Sequence, residues 1–177
     1  MMDGSMGEAG HRARTSARAT SRARRAALAA IGVLAMAAAC GVRIGSIDMR
    51  FGNIDLSLDS GIGIASTVVV REPNDWTRLW LDHDSRILPS RPLPFVDFGR
   101  DIIVAVFLGQ RPDRCHGVRI ERVLLFDDSR IIVRYREVLS RTDAGCAQAL
   151  SYPAAIVRIP FTDLPVRFEQ LGALYID

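Results

Sequence analysis

The run Asp101-Ile102-Ile103-Val104-Ala105-Val106-Phe107-Leu108 is apolar almost without interruption, rich in β-branched residues, and bounded by Gly99 and Gly109. Such a run predicts a strand buried on both faces. A strand covered on both sides needs a layer above it and a layer below it, so the rest of the folded chain must be its wrapping. The chain then turns through Gly109-Gln110-Arg111-Pro112-Asp113-Arg114-Cys115-His116-Gly117 and returns as Val118-Arg119-Ile120-Glu121-Arg122.

The flanking segments supply that wrapping. Ser66 to Arg71 reads as a strand by its β-branching, and Pro73 stops it while opening a helix at the first helical position. Trp76, Leu79, Trp80 and His83 then recur at the spacing of one helical face, which predicts a short amphipathic helix with both Trp over the sheet. Glu72 or Asn74 is expected to cap it, Asp75 suits its first turn, and Pro89, Pro92 and Pro94 forbid a successor. Val118–Phe126 and Ile131–Val138, joined by Asp127-Asp128-Ser129, predict an antiparallel hairpin. Ala147–Leu150, Ile156–Ile159 and Val166–Glu169 are short candidate strands punctuated by Pro153, Pro160 and Pro165, a pattern that suits sheet edges.

Residues 43–60 alternate with period two about Gly52-Asn53, either a hairpin added to the sheet or a loosely held extension leading away from the membrane. The expectation is a mainly β (α+β) domain. It would be an antiparallel sandwich or sheet of seven or eight strands with one short helix, over residues 61–177.

The 177-residue chain contains no Lys, and its formal charge of +3 is unevenly spread. Six Arg stand in residues 1–39 against only Asp3 and Glu8, whereas 17 Arg face 18 carboxylates in the remainder. The basic balance thus belongs to a leader, and no nucleic-acid surface follows from it. That leader runs from an Arg-rich segment through the apolar stretch 26–39 to Ala37-Ala38-Ala39-Cys40. Basic, apolar and small residues in that order make an export signal over residues 1–39. The 17 residues between Arg25 and Arg43 fall short of the roughly 20 a membrane span requires.

The Ala-Ala-Ala-Cys end resembles a bacterial lipobox, which would make Cys40 the lipidated first residue of the mature chain. Residues 40–60 would then form a tether or added hairpin, and the domain would be held at an envelope membrane it does not enter. Cleavage after an Ala-x-Ala site, giving a secreted or periplasmic protein, is the alternative. With Cys40 so used, Cys115 and Cys146 remain as a pair in an oxidising compartment, and a disulfide is expected between them.

Sites of chemistry are scarce. The sequence has three His, and Asp82-His83-Asp84 lacks the spacing of a metal site. Cys115-His116 is adjacent in sequence, which is not the geometry of a thiol nucleophile and its base. Gly-x-Ser-x-Gly, Walker and His-Glu-x-x-His motifs do not occur. Arg119, Arg122, Arg134 and Arg136 fit a solvated hairpin face better than an anion site. No cofactor, metal or enzymatic activity is expected.

One resemblance can be stated on specific residues. Val68-Val69-Val70-Arg71 followed by Asp75-Trp76-Thr77-Arg78-Leu79-Trp80; Leu93-Pro94-Phe95-Val96-Asp97-Phe98; the apolar strand ending Leu108-Gly109-Gln110-Arg111-Pro112; and Tyr152-Pro153 before Ile156-Val157-Arg158-Ile159-Pro160 together resemble the C-terminal domain of the PrcB family. The family is called after a lipoprotein subunit of a bacterial surface protease complex. Where it typically has small residues and Gly after the turn Pro, this chain has Asp113-Arg114-Cys115-His116-Gly117. The resemblance implies a non-catalytic accessory module whose partner is an exported protease or another envelope protein. The candidate interaction loop comprises Gln110, Arg111, Pro112, Asp113, Arg114 and His116. Blocking a protease through that same stapled loop is the alternative use.

Overall fold

The computed structural model describes residues 45–140 and 146–176. The described residues form nine strands and one helix. They run in the order β1 (Ser46–Met49), β2 (Gly52–Ser57), β3 (Ser66–Val70), α1 (Pro73–Asp84), β4 (Asp101–Phe107), β5 (His116–Phe126), β6 (Arg130–Ser140), β7 (Ala154–Pro160), β8 (Val166–Gln170) and β9 (Leu174–Ile176). One sheet has the order β1-β5-β6-β8, with β9 also on β6; the other has the order β2-β7-β4-β3.

The apolar run is the strand on which everything else is stacked. Alternation along β4 sends Ile102, Val104 and Val106 to one face, where they meet Val118, Ile120, Val123, Ile131 and Val133 of the opposite sheet. Ile103, Ala105 and Phe107 point the other way, onto Trp76 and Trp80 of α1. Sheet, sheet and helix thus make three layers, and the central one is apolar on both sides. The helix begins with Pro73 at its first position and ends at Asp84, as its spacing predicts. Glu72 is the N-cap residue, but its side chain makes no capping hydrogen bond.

The β5–β6 hairpin turns through Asp127 and Asp128, both at positive φ (54° and 48°). Two consecutive left-handed residues match the right-handed twist of the flanking strands. Gly109, at φ +72°, ends the central strand. A Cβ there would lie 2.7 Å from the backbone nitrogen of Ala65, so glycine is required on both counts.

Four expectations are corrected. Residues 146–150 form no strand; their backbone instead serves the loop opposite, with Arg114 N–H donating to the Ala147 carbonyl. β7 is not an edge but lies between β2 and β4, with Pro153 and Pro160 confined to its limits, where no central ladder bond is lost. The stretch 46–57 is neither hairpin nor loose extension: β1 pairs with β5 and β2 with β7, so the chain changes sheet at Arg50-Phe51. Finally, β8 and β9 run parallel to β6, which makes that sheet mixed. No helix among the described residues is long and apolar enough to cross a membrane.

Candidate functional site

Two polar clusters stand out in an otherwise apolar fold. The first gathers on the helix side of β2. A register shift between Asn53 and Asp55 bulges that strand, and Ile54 and Asp55 both serve the helix layer: Ile54 packs into its apolar cluster while Asp55 reaches His83. His83 comes from the last turn of α1 and is 0% exposed. Its Nε2 lies 2.8 Å from Asp55 Oδ2 and its Nδ1 lies 2.9 Å from Ser60 Oγ.

Arg91, from the Pro-rich segment that follows the helix, closes the arrangement. It donates through Nε to Asp84 Oδ1 and through Nη1 to Asp55 Oδ1, each at 2.7 Å. Its own backbone N–H reaches Asp84 Oδ2 at 2.7 Å. Burial pushes the Asp55 carboxyl up, but hydrogen bonds from His83 and Arg91 outweigh it and hold the group below the ordinary carboxylate range. Asp84 behaves alike, burial being overcome by the side-chain and backbone donors of Arg91.

Ser60, His83 and Asp55 follow the order of a hydrolase triad, yet the arrangement is closed to that chemistry. Ser60 is 0% exposed, and its Oγ already accepts the Ile62 N–H at 3.1 Å. A substrate carbon has no approach to a hydroxyl so enclosed. What the cluster does is mechanical: it ties β2, the end of α1 and the segment beyond it into one body.

The segment after α1 is fixed at further points. Trp76 Nε1 donates to the Pro94 carbonyl at 3.0 Å, and Trp80 Nε1 to the Arg91 carbonyl at 3.4 Å. The Arg91 guanidinium also sits over the Trp80 ring, 5.0 Å from its centroid. On this braced, strand-free and helix-free stretch, Leu88 is 91% and Phe95 89% exposed, and Leu93 is exposed as well.

The second cluster is the candidate loop itself. Cys115 and Cys146 are joined in a disulfide with their Cα atoms 5.3 Å apart. Arg111 donates to Glu137 Oε1 and to the Leu108 carbonyl, both at 2.7 Å, and its backbone pairs with Ser151 in both directions. His116 Nδ1 lies 2.7 Å from the same Glu137 oxygen. Burial raises the Glu137 carboxyl, and Arg111 with His116 reverse this to leave it lowered.

Arg114 forks onto Asp59, Asp113 Oδ1 accepts the Cys115 N–H at 2.8 Å, and the Gln110 Oε1 accepts from the Tyr152 hydroxyl at 3.2 Å. Of the loop residues, Gln110 and Pro112 are exposed and the others are half-buried. The structure therefore brings the loop residues together but turns most of their polar groups inward. Asp82, His83 and Asp84 diverge, the first exposed and the others buried. Among the described residues no group of three or more His, Cys, Asp or Glu is placed to hold a metal ion.

The hairpin arginines are matched by acids: Arg119 and Arg136 by Glu121, Arg122 by Asp48, and Arg134 by Glu169. Cys40 and the leader lie outside the described residues. The helical spacing places His83 on the buried face, but Ser60, Asp55 and Arg91 carry no motif. The one available hint was a titratable residue in the same stripe as two Trp. The chain matches no protein-family model, no curated protein and no solved structure.

Proposed function

We propose that this chain is an exported, lipid-anchored interaction module without catalytic activity, an accessory to an exported protease or another envelope protein. The observation that carries the reading is the presentation of Phe95 and Leu88. A large apolar side chain held bare on a rigid support has already lost the conformational freedom that binding would otherwise remove. Such anchors are what interfaces use for most of their affinity. The order of basic, apolar and Ala-Cys segments at the N-terminus supports export and anchoring at Cys40. The same Leu-Pro-Phe-Val-Asp-Phe stretch is one of the segments through which the chain resembles the PrcB family.

Protease inhibition through the stapled loop is the weaker reading. A loop whose Arg111, Arg114 and His116 are engaged with its own scaffold has little to offer a protease cleft.

The test is cross-linking in intact cells, purification of the tagged full-length chain from solubilised membranes, and mass analysis of its companions. A secreted protease or envelope protein is expected in near-equal amount, and Phe95→Asp is expected to reduce its recovery at least tenfold with Tm unchanged. Recovery of the chain alone, from wild type and variant alike, sinks the proposal.

A further inference from the structure

We infer that the open edge of β3 is a second docking site, which receives an extended, basic segment of a partner protein as an added strand. The inference extends the reading of the chain as an interaction module to a surface distinct from Phe95.

The backbone geometry identifies what is free. Leu108 N–H donates to the Pro153 carbonyl and Phe161 N–H to the Arg100 carbonyl. Even-numbered residues of β4 therefore direct their backbone at β7, and odd-numbered ones at β3. The β3 partners of Phe107, Ala105 and Ile103 are Ser66, Val68 and Val70. Thr67 and Val69 must then aim their N–H and C=O groups away from the sheet, where, among the described residues, no other strand pairs with β3.

Other exposed edges carry the features that discourage pairing. β2 is bulged beside Asp55, and the half of β5 beyond β1 is bulged between Ile120 and Arg122. β1 carries Asp48, β8 carries Arg167 and Glu169, and β9 is only three residues long. By contrast, β3 reads Ser-Thr-Val-Val-Val in unbroken register, without charge, Pro or bulge. An edge of that kind is a template for another strand.

The edge is also the wall of a groove of about 230 Å³ whose other side is α1. Leu79 supplies its apolar floor, while Asp75, Arg78 and Asp82 line its rim. Arg78 stands only 3.7 Å from Asp75, whereas the Asp82 carboxylate has no partner among the described residues. The rim therefore favours an incoming Lys or Arg alternating with β-branched residues. A second copy of this chain fits poorly. The strand that a second copy would add, Ser-Thr-Val-Val-Val, carries no Lys or Arg to meet the rim.

The test selects a random library of extended nonapeptides on the purified full-length chain in detergent. Enrichment of β-branched residues alternating with Lys or Arg is expected. Methylating alternate backbone nitrogens of a selected peptide should abolish binding in one phase and spare it in the other. Val69→Pro breaks no ladder bond within the sheet; it removes an outward N–H and part of the packing of Val69 on the core, and should weaken binding at least tenfold while the chain stays folded. Asp82→Lys, an exposed change that leaves the strand intact, should turn the preference toward acidic peptides.

No enrichment, or enrichment indifferent to both variants, overturns the inference, as does self-association that Val69→Pro abolishes. In cells, a companion retained equally by wild type and Val69→Pro defeats this site while the interaction-module reading survives. Absence of any companion from either defeats that reading itself.

Discussion

At the scale of single residues, Arg91 is the side chain on which the helix layer depends. One guanidinium bridges two carboxylates, Asp84 and the Asp55 that it shares with His83. Arg91→Ala would leave Asp55 with His83 and Asp84 with the backbone N–H of residue 91, and a loss of about 2–3 kcal/mol is expected in urea unfolding. Arg91→Lys should recover only part of it, because a point charge cannot reproduce the fork. The same carboxylates set the response to acid. Asp55, Asp84 and Glu137 all titrate below their ordinary range in the folded chain. Their contribution is complete above the unfolded values, near pH 4, and disappears as pH falls through the folded ones. The urea midpoint should therefore fall steeply below about pH 4, and less steeply in an Asp55→Asn variant. Little of this cluster was legible beforehand: the helical stripe predicted a buried His83, but partners 23 and 28 residues away depend on tertiary register.

At the scale of elements, the β5–β6 hairpin uses two Asp where the turn geometry prefers glycine at the second position. Asp128→Gly relieves a left-handed L-residue and should stabilise the chain by about 1 kcal/mol, read as a higher Tm. Elements with strong local signals were the legible ones. The continuous apolar run became the strand buried on both faces, and Pro73 with the Trp spacing became α1. The misread elements share a cause. Ile156–Ile159 sits between prolines that suggest an edge, yet what decides its place is the neighbour on each side, β2 and β4. Leu174–Ile176 is too short to show a period, and its parallel partner in β6 is far away in sequence.

At the scale of the whole molecule, the two sheets and the helix share one central strand, and the exposed apolar residues sit outside that shared core. Phe95→Asp should accordingly leave the urea midpoint and Tm where they are, which lets loss of a companion be attributed to the surface. The sheet change at Arg50-Phe51 has a mechanical consequence. Tension arriving from the N-terminal side loads β1 against β5 first and β2 against β7 next. Peeling β2 away withdraws Asp55 from His83 and Arg91, and with it one of the clamps on the segment that displays Phe95. Tension on the N-terminal side would thus loosen the support beneath Phe95, so that any contact built on that side chain answers to mechanical load.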